Sequence, residues 1–303
     1  MTIRFDEIDS TSTYLKAHTE GLPQFAVVTA NAQTAGRGQR GNGWESEPGE
    51  NLLMSMLYYP PAEFPPDRQF GISMAVALAV ADTVEELLAG CAHEPVTVKW
   101  PNDIYLGNRK LCGILIEHTI SAAPAQKSAD SDLAGACPNG APAGACSVGA
   151  SIRHTVIGIG LNVNQRDFHS SAPNPVSLIH ATGTIIPIDT ALKGLTAHLV
   201  SRLTVLSGAC ASTDTDAVAD ELCAEYRRRL WRGKGMHRWL SLQATSAPVP
   251  PVHFASQLPA SLADGVEIIE GEIIDILPSG PLRLRLRSGE IRTFAFKEIS
   301  ALL

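Results

Sequence analysis

The alternation of apolar and polar positions sets out most of the chain's elements before any residue is assigned a chemical role. Phe25–Ala30, bounded by Pro23, is rich in β-formers, and Asn51–Tyr59 carries large apolar residues up to Pro60-Pro61. Val96–Trp100 alternates, placing Val96, Val98 and Trp100 on one face and Thr97 and Lys99 on the other. Ile104–Leu106 and Lys110–Glu117 flank Gly107-Asn108, a pair suited to a tight hairpin turn. Such a hairpin brings Lys99, Asp103 and Lys110 into one neighbourhood. Ile72–Leu88 has apolar residues at helical spacing, predicting an amphipathic helix packed on a sheet with a solvated charged tail. Thr190–Leu206 and Thr215–Leu230 predict two further helices. Asp9-Ser10-Thr11-Ser12-Thr13 ahead of Tyr14–Ala17 is a helix-capping signal, with more hydroxyls than a cap needs.

In Arg153–Asn164, parity places Val156, Gly158, Gly160, Asn162 and Asn164 on one face and Ile157, Ile159, Leu161 and Val163 on the other. A strand face lined by glycine marks close approach of a ligand or of another backbone, and this strand alone leaves both open. Residues 118–152 lose periodicity and turn to Ala, Gly, Ser and Pro, which predicts a flexible insertion. Residues 236–264 read as irregular. Val266–Leu277, Leu282–Arg287 and Ile291–Phe296 then form strand, turn, strand, turn, strand, with leucines inside and arginines in water. The expected fold is α+β. A mixed β-sheet packed by helices spans 1–235, and a small C-terminal β-barrel or sandwich spans 236–303.

Composition narrows the function classes. A net charge of -7 gives no global basic field for nucleic acid. The six cysteines form no CxxC pair, which argues against a zinc site or a disulfide scaffold. The Ile72–Val80 run is too short to span a bilayer, and the start carries no signal-peptide core. A reduced, cytoplasmic protein is expected.

The chemistry concentrates in Ala35-Gly36-Arg37-Gly38-Gln39-Arg40-Gly41-Asn42-Gly43-Trp44, a loop both bare and cationic and therefore suited to an anionic ligand. Gly36-x-Gly38-x-x-Gly41 matches the dinucleotide fingerprint literally. That motif requires a helix opening on its last glycine, and Asn42-Gly43-Trp44-Glu45-Ser46-Glu47-Pro48-Gly49 cannot supply one. Two lysines flanking the Pro101-Asn102-Asp103 corner add a second cationic centre, because burying a cation without a partner is costly.

Five ordered stretches over residues 5 to 164 together resemble the biotin protein ligase family. They are Asp9-Ser10-Thr11-Ser12, Gln33-Thr34-Ala35-Gly36-Arg37-Gly38-Gln39-Arg40-Gly41 with Trp44, Lys99-Trp100-Pro101-Asn102-Asp103, Arg109-Lys110-Leu111-Cys112-Gly113-Ile114-Leu115, and Ile157-Gly158-Ile159-Gly160-Leu161-Asn162. The C-terminal strands more weakly resemble that family's SH3-like domain. The resemblance implies ATP and biotin as substrates, with Mg²⁺ on the triphosphate. Biotinyl-5'-AMP would form first, followed by transfer of biotin to a lysine of a biotin carboxyl carrier protein. It implies that Ser10, Thr11, Ser12 and Gln33 bind the biotin ring with help from Gly36, Gly38 and Gln39. Lys110 is implied to meet the biotin carboxylate and then the adenylate phosphate. Lys99, Asn102, Asp103 and Asn162 fall on the ATP side, Arg37, Arg40 and Trp44 in a loop closing over the adenylate, and Gly113 at a position that leaves room for ligand. Gln39 stands where many bacterial members carry arginine, so Gln39→Arg is expected to slow adenylate release. Cys112 stands where alanine is common. Motifs beginning within ten residues of the start leave no room for an N-terminal helix-turn-helix, so DNA is not an expected partner; neither is a membrane, and a homodimer stays open. Lipoate ligases and octanoyl transferases, which share the fold, are the alternative reading.

Overall fold

The structure, a computed structural model, describes residues 1–38, 43–62, 64, 66–121, 151–169, 174–210, 215–242, 266–296 and 298–302. Its main sheet has seven strands: β1 (Thr2–Ile8), β2 (Val27–Gln33), β3 (Asn51–Tyr58), β4 (Val96–Lys99), β5 (Asp103–Leu106), β6 (Arg109–Ser121) and β7 (Ser151–Asn162). Their order is β1-β2-β3-β7-β6-β5-β4, with β1–β2 parallel and the other neighbours antiparallel. This is the expected mixed sheet. Gly107, at φ 60, turns the β5–β6 hairpin where the Gly-Asn pair predicted it.

Five α-helices are described: α1 (Thr11–Ala17), α2 (Phe70–Leu87), α3 (Ile179–Thr182), α4 (Ile188–Cys210) and α5 (Thr215–Arg228). The expected amphipathic helix is instead apolar almost all round, because α2 packs between the sheet and α4 and buries twelve residues. Its charged end is only partly solvated. Asp82 pairs with Arg202 at 2.6 Å and with Arg229 at 2.8 Å, tying α2 to α4 and to the exit of α5.

The insertion is shorter than its composition suggested. Strands β6 and β7 continue to Ser121 and from Ser151, pairing as far as Ser121↔Ser151. Cys137 and Cys146 lie outside the described residues. The region expected to be irregular contains β8 (His237–Leu242), which pairs with β9 (Val266–Ile276). With β10 (Leu282–Leu286), β11 (Ile291–Phe294) and β12 (Ile299–Ala301), it forms a second sheet in the order β11-β10-β9-β8-β12. No pairing among the described residues joins β11 to β12, so closure into a barrel is not seen among them, and the expected small C-terminal β domain is present as this antiparallel sheet. Leu282, Leu284 and Leu286 are buried, while Arg285 and Arg287 pair with Glu272 and Glu270 on β9.

Aromatic contacts fasten the second sheet to the first. Trp100 Nε1 donates to the Gly280 carbonyl at 3.0 Å, and the Trp100 and Phe296 rings lie 5.1 Å apart. No helix among the described residues is long and apolar enough to cross a membrane.

Candidate functional site

Strand register assembles the site. Leu53 on β3 faces Gly160 on β7, Gly160 faces Gly113 on β6, Gly113 faces Asp103 on β5, and Asp103 faces Lys99 on β4. Directly opposed residues share a face. The rows Ser55–Gly158–Leu115 and Leu57–Val156–Glu117 therefore lie on that face too. The row flanking the first of these, Leu52–Leu161–Cys112–Ile104–Val98, belongs entirely to the main hydrophobic core. One face of the sheet is packed by α2 and α4, and the other carries the polar chemistry with α1 packed beside it.

This resolves the glycine stripe of β7 into two uses. At Gly158 a Cβ would run into Ser12 Oγ, so that glycine admits the start of α1. At Gly113 a Cβ would lie 2.7 Å from Trp44 Cζ3, and at Gly160 2.8 Å from Cζ2. The two glycines form a bare floor on which the Trp44 indole rests. Trp44 Nε1 is buried there without a hydrogen-bond partner.

One end of the floor is a cluster of hydroxyls. Ser10 caps α1, its side chain accepting from Thr13 N at 3.4 Å, which absorbs one of the surplus hydroxyls structurally. Thr11 donates to Gln33 Oε1 from both its backbone N (2.8 Å) and its Oγ1 (3.1 Å). Ser55, fully buried on β3, lies 2.8 Å from Thr11 Oγ1 and 2.9 Å from Ser12 Oγ. A Cβ on Gly36 would meet both Gln33 Nε2 and the Trp44 carbonyl, so the glycine loop adjoins this cluster.

The other end is cationic. Lys110 pairs with Asp103 at 2.9 Å and lies 5.8 Å from the Trp44 ring centroid. Lys99 donates to Tyr105 Oη at 2.8 Å and sits 5.0 Å over the Tyr105 ring and 5.7 Å from the Trp231 ring. Burial lowers the Lys99 pKa most, Asp103 raises it, and the charges of Lys110 and Arg232 lower it further. The grouping of Lys99, Asp103 and Lys110 expected from the hairpin is present. Asn162, on the same face, donates to the Val176 carbonyl at 3.0 Å, while its buried Oδ1 has no partner.

Some expected residues are engaged elsewhere. Asn102 Nδ2 is held by the Ile114 carbonyl inside the hairpin. Arg37 makes two 3.1 Å contacts to Glu117, which also binds Lys16. Gly38 follows an isolated bridge between Arg37 and Gly43 that pinches the loop. Gln39 and Arg40 lie outside the described residues. Cys112 points into the core and not into the site, and burial pushes its thiol pKa far up.

Sequence reasoning passed over Ser55, Glu117, Tyr105, Trp231 and the segment 174–178. A serine in an otherwise apolar buried strand was the available signal for Ser55. The segment 174–178 gave none, and its link to Lys110, whose N donates to Asn174 O at 2.7 Å, is purely tertiary.

The model of the Biotin/lipoate A/B protein ligase family matches residues 4–129. Over 112 residues the chain is 41% identical to the Bifunctional ligase/repressor BirA of Escherichia coli, covering 37% of this chain and 33% of that protein. It is 35% identical over 136 residues to the Biotin--[acetyl-CoA-carboxylase] ligase of Paracoccus denitrificans, covering 44% of this chain and 55% of that one. The matched stretch thus spans about a third to a half of these curated relatives. Among solved structures, the biotin protein ligase of Aquifex aeolicus in complex with biotin and ATP superimposes with a TM-score of 0.66 at 21% identity, covering 99% of this chain and 97% of that chain. The ligase of Leishmania major with biotinyl-5-AMP gives 0.53 at 18%, covering 97% and 98%. The chain has the fold of the biotin protein ligase structures, and its residues 4–129 match the model of the Biotin/lipoate A/B protein ligase family.

Proposed function

We propose that this protein is an ATP-dependent biotin protein ligase, which activates biotin to biotinyl-5'-AMP with release of pyrophosphate and then transfers biotin to a lysine of a biotin carboxyl carrier protein. The observation that carries the reading is the glycine floor at Gly113 and Gly160, with neutral hydrogen-bonding groups at one end and two lysines at the other. A polar uncharged ring with a carboxylate tail matches that polarity, and so does a nucleotide phosphate lying beyond the carboxylate. The named relatives and the ligand-bound structures of the same fold support the assignment.

In this reading Thr11 and Gln33 bind the biotin ring, with Ser10 and Ser12 shaping the start of α1 behind them. Attack of a carboxylate on the α-phosphate brings two anions together, and Lys110 and Lys99 offset the accumulating negative charge. Asn162, with a free buried acceptor, is available to a nucleotide donor group. Asp103 orients Lys110 through their ion pair. Trp44 now covers the floor, so ligand entry displaces the indole, which with Arg37 and Arg40 then screens the mixed anhydride from water. In the transfer step the acceptor lysine attacks the biotinyl carbonyl as a free amine, and AMP departs. Mg²⁺ is expected to arrive with the nucleotide, where it would offset charge on the triphosphate. We place the ligase activity in residues 1–235 and assign 236–303 to a supporting role.

The test is direct. Purified protein, MgATP, biotin and a biotin-carrier domain are incubated and probed with streptavidin, with lipoate replacing biotin in a parallel reaction. Labelling that requires biotin and is lost in Lys110→Ala is expected. No labelling by the wild type, or pyrophosphate exchange that depends on lipoate instead, overturns the reading.

A further inference from the structure

The hydroxyl cluster contains more information than a set of contacts, because its protons can be counted. Gln33 Oε1 receives the Thr11 backbone N–H at 2.8 Å, which settles the amide orientation, since a backbone N–H can only donate. The Thr11 hydroxyl also donates to Gln33 Oε1, at 3.1 Å, and so spends its one proton there. The 2.8 Å contact between Thr11 Oγ1 and Ser55 Oγ must then be donated by Ser55. Ser55 in turn has no proton left for Ser12, so the 2.9 Å contact between them is donated by Ser12. Every proton in the chain runs one way, from Ser12 to Ser55 to Thr11 to Gln33. Both contacts at Ser55 are shielded from water, Ser55 being 0% exposed, so no solvent molecule can reverse the order.

We propose that Ser55 is a positioning residue that commits the Thr11 hydroxyl as a donor to Gln33 and so completes the hydrogen-bond polarity that the Thr11 N–H sets at the ring-binding end of the site. Held through Thr11, Gln33 Oε1 is saturated by two donors, and only the Nε2 hydrogens remain to face the ligand. Gln33 therefore reads an acceptor, such as the carbonyl oxygen of a cyclic urea. Ser55 reaches this end from β3, a strand outside all five motifs, and touches no ligand itself. Its register partner on β7 is Gly158, whose missing side chain leaves the space in which Ser12 and Ser55 meet. The inference rests on the ligase reading and refines it.

The experiment uses the full chain and biotin-dependent ATP–pyrophosphate exchange, with the wild type measured first. In Ser55→Ala the KM for biotin should rise about tenfold, the effect of losing one buried hydrogen bond, while kcat and the KM for ATP stay within about twofold. In a Thr11→Val background the same change should add less than about twofold, because the chain is already broken. Gln33→Glu, which keeps the acceptor for Thr11 but removes the donors, should raise the KM for biotin by more than about tenfold. Ser55→Cys, of similar volume, stands in if the alanine variant fails to fold. An unchanged KM for biotin, an equal rise in the KM for ATP, full additivity with Thr11→Val, or a Gln33→Glu enzyme with normal biotin kinetics overturns the inference. Absence of exchange in the wild type sinks the ligase reading and this inference with it. Exchange with unaltered Ser55→Ala kinetics sinks this inference alone.

Discussion

Lys99→Met separates a residue kept for chemistry from one kept for stability. The Lys99 ammonium is largely withdrawn from water, and among the described residues no carboxylate lies within ion-pairing distance of it; its donor contact is the Tyr105 hydroxyl, and its neighbours are the Tyr105 and Trp231 rings. Removing the charge forfeits a charged hydrogen bond worth about 1.5–3 kcal/mol. It also forfeits cation–π attraction of about 0.5–2 kcal/mol. Against these stands the desolvation of an ammonium, several kcal/mol after relaxation. The terms nearly cancel, so stability should move by no more than about 1 kcal/mol, roughly 2–4 °C in Tm for a domain of this size class. Activity should behave differently. A group that offsets charge developing on phosphate is worth about 10²–10³ in rate. The pH dependence supplies a second reading. Because burial lowers the Lys99 pKa in the folded state, the unfolded chain holds more protons between that value and the ordinary 10.5. Wild-type stability therefore gains an increment as pH rises through that window, and Lys99→Met loses that increment. Differential scanning calorimetry at neutral and alkaline pH, alongside pyrophosphate exchange, measures both. A Tm loss of more than about 10 °C, or exchange within about threefold of wild type, refutes the reasoning.

Four further outcomes follow from the same geometry. Gly160→Ala puts a methyl into the Trp44 ring, so Trp44 emission should shift to the red and exchange should fall at least about tenfold, with a stability cost of about 1–3 kcal/mol; an unshifted spectrum refutes the packing. Gly280→Ala combines a left-handed backbone, φ 108, with a Cβ 2.6 Å from Phe296 Cζ, and chemical denaturation should show a loss of about 2–4 kcal/mol. Burial raises the Glu117 pKa, but hydrogen bonds from Lys16 and Arg37 outweigh it and hold the carboxyl below its ordinary range. The stability it contributes is present above the ordinary value of 4.5 and lost as pH falls through the lower folded value, so Glu117→Gln should flatten the limb of Tm below about pH 4.5. Cys112, buried on the core face, should resist thiol reagents equally with and without biotin, and protection that appears only with biotin would place it in the pocket.

How far the sequence carried depended on whether a feature was local. The β5–β6 hairpin, the parity of β7 and the capping start of α1 are written in neighbouring residues, and all three form as read. Strand β8 was missed because it pairs with β9 across a long separation, and its own residues, His237–Leu242, alternate too weakly to stand out. The all-round burial of α2 could not be seen either, since its second apolar face is explained only by α4 lying across it. At the site, the family-like stretches named Thr11, Gln33, Lys99, Asp103 and Lys110, and in the structure Thr11 donates to Gln33 while Lys110 pairs with Asp103. They were silent on Ser55 and Glu117, which join them from the far side of a strand pairing.

Register explains why the candidate site and the hydrophobic core of this chain are so closely tied. Along β6, Cys112 belongs to the core and Gly113 to the site; along β7, Ile159 and Leu161 belong to the core and Gly158 and Gly160 to the site. A slip of one residue in either strand would exchange these sets, driving large apolar side chains into the Trp44 floor and leaving glycines against the helices. The penalty falls on both faces at once, so the hydrophobic core that stabilises the sheet also enforces the alignment of Gly160, Gly113, Asp103 and Lys99 in one row. The bare floor and the lysines at its end are held in line by the same pairing that buries Leu161, Cys112 and Ile104 behind them.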